Sequence, residues 1–433
     1  MKKLLLLTYY WPPAGGPGVQ RALYFVKYLR KYGWEPVVYT VENGEFHNLD
    51  SSLEKEIPEG TKVLKHPIWE PYSLYKSAVG TKKGDTIKPV VVAEKTKRPL
   101  LQNLAVWVRG NFFIPDARRF WIKPSIKFLG EYLESSPVDA IYSTSPPQSV
   151  HLIALGLKEK LGTPWLADFR DPWTKVVYYD DLKLSKWADK KHRNLEKAVL
   201  TGADRIVAAS YKLQQEFSVL GDREVDVVTN GFDTEMHFED REEAERFTLL
   251  HLGSVTAKRN PEQFWVALEE IINKTGYTPS EFCIEFIGSV HPDIVERLKE
   301  LGLMDFVIFK EFIPHDEIWE PIDRASTLLL INNKGQDQII PAKLFEYLVS
   351  KTPILGIADS KGDVARIINE SGRGIVVDFD DKERFKEQLQ MLFIKHKSGS
   401  LRREYLGDRN RISTYSRQNL TGDLVKILDE MTE

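Results

Sequence analysis

A single cysteine, Cys283, stands in a chain of 433 residues. That scarcity excludes a disulfide framework within the chain and zinc-finger ligation, and it points to a reducing cytoplasm. Charge of one sign is also nearly absent: the net is -3, which argues against a dedicated nucleic-acid binder, so no nucleic-acid partner is expected. Long apolar runs are missing as well. The opening leucines, Leu4 to Leu7, stop at Thr8 and meet aromatics and prolines, too short a run for an export core or a spanning helix. No later run approaches the roughly 20 apolar residues that a span needs, so nothing is expected to cross a membrane.

What is present is enough apolar material, 42% of the chain, for two cores, and the length favours two domains over one. Short β-branched and aromatic runs recur between helical stretches. They are Pro36 to Thr40, Val138 to Ser143, Pro164 to Phe169, Asp204 to Ser210 and Val225 to Thr229. The alternation restarts at Phe247 to Leu252 and continues through Cys283 to Gly288, Val307 to Phe309 and Thr327 to Ile331. Buried strands alternating with helices predict α/β architecture with parallel sheets wound on both faces, in two successive Rossmann-like halves. The polar, acid-rich stretch Asp233 to Arg246 reads as the linker.

Four short segments carry the candidate chemistry. In the run Asp337 to Ile357, Pro341 suits a first helical position, Ala342 to Leu348 keep helical spacing, and Lys351-Thr352-Pro353 end the helix before the apolar Ile354 to Ile357. The free amides near Ala342 and Lys343 form an electropositive start suited to phosphate. One turn on, the Glu346 carboxylate can accept hydrogen bonds from two adjacent hydroxyls, as on a ribose. After the first strand, Pro12-Pro13 and then Gly15, Gly16 and Gly18 form a loop before a helix that carries Arg21. Glycines there let backbone amides approach a pyrophosphate, although the spacing is not the dinucleotide fingerprint. A third segment sets Asp168, Arg170 and Asp171 at the carboxyl end of a buried strand, where open parallel sheets bind ligands. In the fourth, a strand, Gly253 and a turn bearing Lys258 and Arg259 precede a helix.

Together these segments resemble GT-B glycosyltransferases, most closely the family 4 enzymes of bacterial surface-polysaccharide synthesis. The resemblance spans nearly the whole chain and implies two Rossmann-like doubly wound domains facing across a cleft: residues 1–235 on the acceptor side, residues 236–410 for the nucleotide sugar, and residues 411–433 as a final helix packing back on the first, with Ile412 and Tyr415 on its apolar side. It places Glu346 on the nucleotide ribose. The family's first glutamate falls on Gln338, so the contact to the donor sugar is made by an uncharged amide. Many relatives carry a histidine at the strand end beside the sugar; here Arg170 or Asp171 occupies that location. Ser254 stands where relatives often have a further arginine.

The resemblance implies retention of anomeric configuration and front-side displacement. Lys258, Arg259 and the amides at Gly16 and Lys343 hold the diphosphate, Gln338 touches the sugar, and Asp171 orients sugar or acceptor. No cofactor or metal is expected. The expected partners are a nucleotide-sugar donor and a glycan or lipid-linked acceptor. Between Tyr75 and Arg98 seven basic residues face two acidic ones, and Trp107, Phe112, Phe113, Phe120 and Trp121 follow, interleaved with Arg109, Arg118, Arg119 and Lys123. That mixture suits an anionic bilayer surface, hence a cytoplasmic enzyme peripheral at the inner face of the membrane; a solvated loop followed by core aromatics is the plainer reading. Two other functions stay open: a nucleotide-sugar epimerase on the same fold, and a non-catalytic protein that binds nucleotide sugar.

Overall fold

The structure is a computed structural model, and it describes residues 1–46, 48–69, 100–176, 179–234, 244–314 and 317–433. The basic segment Tyr75 to Arg98 and most of the expected linker, 235–243, lie outside the described residues. The chain divides into two compact units, one formed by Met1–Thr229 with Arg417–Glu433 and the other by Asn230–Ser416.

The first unit holds a seven-stranded parallel sheet of β1 (Lys2–Leu7), β2 (Trp34–Val41), β3 (Lys62–His66), β4 (Ala140–Ser145), β5 (Trp165–Phe169), β6 (Arg205–Ala208) and β7 (Asp226–Val227). Their spatial order is β3-β2-β1-β4-β5-β6-β7, so the direction of winding reverses between β1 and β4. The opening leucines show why both faces are covered. Leu5 and Leu7 enter one apolar cluster and Leu4 and Leu6 the other, all fully buried, because successive strand side chains point to opposite faces. The chain returns to this unit at its end. Leu420, Leu424, Val425 and Leu428 of the helix Arg417–Thr432 pack in the same cluster as Val19, Ala22, Leu23 and Val26 of the helix Pro17–Leu29. Asp429 then accepts from Trp34 Nε1 at 3.1 Å. Ile412 and Tyr415, grouped by sequence with that last helix, instead join a cluster of the second unit.

The second unit repeats the plan with six parallel strands: β8 (Phe247–Leu252), β9 (Phe282–Ile287), β10 (Val307–Lys310), β11 (Thr327–Ile331), β12 (Ile354–Ile357) and β13 (Gly374–Val377). Their order is β10-β9-β8-β11-β12-β13, which puts the reversal between β8 and β11. The expected α/β class with two doubly wound units is therefore what the chain adopts. Two edge strands, β3 and β13, lie outside the sequence expectation. β3 reads Lys-Val-Leu-Lys-His with no fully buried residue, and β13 is only four residues long; short, charged edges are how sheets avoid further pairing. Among the described residues no helix is long and apolar enough to cross a membrane.

Candidate functional site

In an open doubly wound sheet, ligands bind beyond the carboxyl ends of the strands at the point where the winding reverses. In the second unit that point is reached by the segments following β8 and β11. β8 runs into Gly253 at φ 92°, and Lys343 lays its ammonium over this glycine so closely that a Cβ would collide with it. Behind Gly253 its own carbonyl approaches Gly288, which follows β9. The Arg259 guanidinium donates from Nε to Asn333 Oδ1 at 2.7 Å, and Asn333 Nδ2 donates to Gln336 Oε1 at 2.9 Å, tying the turn after β8 to the loop after β11. That loop carries Gln338 and leads to Pro341 and the helix Ala342–Leu348.

The electrostatics of this cluster favour an anion. Burial, then the charge of Arg259, lowers Lys343 to about 8, with Glu346 opposing from the next turn of the same helix. Burial lowers Arg259 too. His251, on β8 beneath them, is pushed down to about 3 by burial and by the charge of Lys343, so it stays neutral. Two partly desolvated cations that disfavour each other are relieved by a shared negative ligand. Tyr347 turns inward, its hydroxyl accepting from the Leu252 amide at 3.1 Å, and this fixes the short helix against the end of β8.

Of the residues expected here, Arg259, Lys343 and Glu346 come together, Ala342 begins the helix, and Gln338 lies half-buried in the preceding loop. Lys258, its neighbour Arg259 half-buried, is exposed. Sequence reasoning used the Lys343 amide, whereas the structure brings its side chain to the cluster. It overlooked Asn333. The Gly-Ser pairs that follow β8 and β9, Gly253-Ser254 and Gly288-Ser289, were the available signal, and their hydroxyls bond each other at 2.9 Å.

In the first unit the corresponding point lies between β1 and β4. Gly16 adopts φ 103° and caps the helix Pro17–Leu29. The Gly15 amide donates to the Asn48 carbonyl at 3.0 Å, so it serves the loop and not a phosphate. Gly18 packs under the Arg170 guanidinium with no room for a Cβ. Arg170 in turn donates from Nε to the Ser145 carbonyl at 2.9 Å and from its terminal nitrogen to the Pro146 carbonyl at 2.6 Å, joining the ends of β4 and β5.

Arg21, expected at the ligand, is corrected to a brace. It is 4% exposed, forks onto Asp168 at 2.9 and 2.7 Å, and donates to the carbonyls of Val228 and Thr229. Tyr142 and Thr144 also donate to Asp168, at 2.6 and 2.7 Å. Burial alone would raise this carboxyl, but the Arg21 charge and these bonds hold it below its usual value. Asp171 differs: burial pushes it up, with the Arg170 charge opposing. A carboxyl raised at a strand end can hold or exchange a proton near a ligand. Among the described residues no group of three or more His, Cys, Asp or Glu side chains is placed to hold a metal ion.

Comparison with known proteins agrees with this architecture. Residues 83–236 match the family model for Glycosyltransferase Family 4. No curated protein matches in sequence. Solved structures do match along the full length. A glycosyltransferase from Rickettsia africae ESF-5 superposes with TM-score 0.64 at 12% identity, covering 100% of this chain and 99% of that one. The lipopolysaccharide outer core galactosyltransferase WaaB gives 0.61 at 14% identity, covering 99% of each. The S. aureus TarM structure in complex with Fondaparinux, alpha-GlcNAc-glycerol and UDP gives 0.59 at 11% identity, covering 99% and 100%. The chain thus has the GT-B fold and resembles glycosyltransferases of this kind, and the family match supports glycosyl transfer as its class of activity.

Proposed function

We propose that the chain is a metal-independent glycosyltransferase that moves a sugar, with retention, from a nucleotide-sugar donor to a glycan or lipid-linked acceptor in bacterial surface-polysaccharide synthesis. The observation that carries this reading is the Arg259–Asn333–Lys343 cluster over Gly253, at the ligand-binding end of the second sheet. It offers two preplaced cations to a diphosphate, and Glu346 stands one turn away for the ribose. As the bond from the anomeric carbon to the diphosphate oxygen breaks, Arg259 and Lys343 meet the growing charge on that oxygen. The acceptor hydroxyl attacks from the same face, and its proton passes to the departing diphosphate. No carboxylate pair of the glycosidase kind is required. The bound UDP of TarM and the galactosyltransferase activity named for WaaB belong to those proteins; they support a nucleotide-sugar donor here as the simplest choice.

A lipid-borne acceptor is favoured by a separate observation. Leu104, Trp107, Phe112 and Phe120 are large apolar side chains at least 39% exposed, and Arg109 and Arg119 lie among them in sequence. Aromatics and cations in one region match the headgroup level of an anionic bilayer, so we assign the protein to the inner face of the membrane. Nucleotide release from candidate sugar nucleotides, with and without acceptor glycans, tests the main reading. An epimerase would interconvert the sugars, and a silent binder would leave them intact.

A further inference from the structure

Within the first unit a recess of about 240 Å³ opens beyond the carboxyl ends of β1, β4 and β5, where Tyr10, Pro146 and Trp173 follow those strands. That space admits one monosaccharide with its substituents. Part of its wall is aromatic and fixed. The Trp173 indole donates to His192 Nδ1 at 3.2 Å, His192 bonds the Gly110 backbone, and burial keeps that imidazole neutral. The Tyr179 hydroxyl is engaged by Asp189 at 3.0 Å, so the tyrosine offers its ring. Such faces suit the C–H surface of a pyranose.

The lining also holds polar groups: an amide, two arginines and a carboxylate. Gln148 is 8% exposed, and its Oε1 is buried with no hydrogen-bond partner among the described residues. Leaving a buried acceptor unmet is costly, and a ligand hydroxyl would satisfy it. Arg109 and Arg118 bring two cations to the wall, the Arg118 guanidinium lying over the Tyr9 ring at 4.7 Å. Asp116, the one carboxylate of the lining among the described residues, accepts three hydrogen bonds: from the Arg118 amide at 2.8 Å, and from the Ser149 hydroxyl and amide, both at 2.8 Å. Its oxygens anchor the start of the helix Ser149–Leu161, and its charge balances one of the two arginines, so the wall keeps a net positive charge.

We propose that this recess holds the terminal sugar of the acceptor and that this sugar carries an acidic group, a carboxylate or a phosphate, which Arg109 receives while Gln148 accepts from a ring hydroxyl. The inference rests on the glycosyltransferase reading, and its test does not depend on turnover. Saturation-transfer NMR and calorimetry on the full chain, without donor, compare glucuronic acid, glucose 6-phosphate and glucose. At least one acidic sugar should bind ten-fold or more tightly than glucose, and Arg109→Gln and Gln148→Leu should each weaken it several-fold. The preferred acid distinguishes a carboxylate from a phosphate.

Equal affinity for all three sugars, or no binding by any at millimolar concentration, overturns the proposal. So does an acidic preference that survives both substitutions. Arg109 is exposed, so its replacement keeps the fold testable even if the buried Gln148 variant unfolds. Nucleoside diphosphate binding is measured on the same samples: binding of nucleotide without acidic preference sinks the recess alone, and acidic preference without nucleotide binding sinks the transferase reading.

Discussion

The Arg259 guanidinium donates from Nε to Asn333 Oδ1 at 2.7 Å, and this bond connects the two strand ends that flank the winding reversal of the second sheet. Arg259→Ala should lower kcat/KM for the donor by about 1.5–3 kcal/mol in transition-state free energy, the range for a hydrogen bond to a charged group, or roughly 10- to 150-fold. Asn333→Ala should show a smaller loss, because it frees the guanidinium without removing it. Arg259→Lys should not restore activity, since an ammonium lacks the planar fork. Steady-state kinetics beside melting temperatures would check this; a parent-like kcat/KM in a normally folded Arg259→Ala would remove the cluster from the mechanism.

Lys343 gives the donor site a pH dependence. Without ligand its ammonium is lowered to about 8 by burial and by Arg259. A diphosphate favours the charged form, so bound donor raises this value and binding takes up a proton as pH climbs past it. Affinity for a nucleotide sugar should therefore be greatest below pH 8 and fall as pH rises through 8 to 9. Calorimetry at several pH values, with Lys343→Gln as control, reads the effect directly. A flat profile in the parent would show that this ammonium does not meet the phosphates.

Glu346→Gln preserves shape and removes charge. Nucleoside diphosphate binding should weaken by about 1.5–3 kcal/mol if the carboxylate accepts from the ribose. The 2′-deoxy nucleotide should lose less in the variant than in the parent. Identical affinities for parent and variant would place the ribose elsewhere.

The Arg21–Asp168 pair predicts a stability effect. Both side chains are buried, and Asp168→Ala would leave the guanidinium without its counter-charge, a change that typically costs about 3–5 kcal/mol. Chemical denaturation should show a large drop in midpoint, whereas Asp171→Asn, one turn of loop away, should change turnover more than stability. A silent Asp168→Ala would contradict the brace.

The sequence made the two units legible because their inner strands, such as Leu4 to Leu7 and Thr327 to Ile331, are continuous apolar runs buried on both faces. The edges β3 and β13 lacked that pattern. At the sites, residue types with local meaning were readable: Glu346 one turn into a helix, Arg259 in a turn after a strand, glycines before the helix Pro17–Leu29. What stayed hidden depended on distant partners. Arg21 meets Asp168 across 147 positions, which turned an expected ligand contact into a brace. Arg259 meets Asn333 across 74. The recess at Gln148 draws its walls from several separate segments, and no motif announces it.

The exposed apolar group predicts membrane adsorption. Replacing Trp107, Phe112 and Phe120 with serine should weaken binding to anionic vesicles while leaving donor binding intact, and salt should weaken adsorption of the parent. Equal sedimentation of parent and variant with phosphatidylserine vesicles would favour a soluble acceptor.

Nucleotide release tests the central claim most directly. The full chain is incubated with UDP-, GDP- and ADP-linked sugars, with and without acidic acceptor oligosaccharides, and free nucleoside diphosphate is followed over time. At least one donor should release nucleotide faster with acceptor present, and Arg259→Ala with Lys343→Gln should abolish that release without lowering the melting temperature. Interconversion of the donor sugar without nucleotide release, or parent-like release by the doubly substituted chain, would contradict the account.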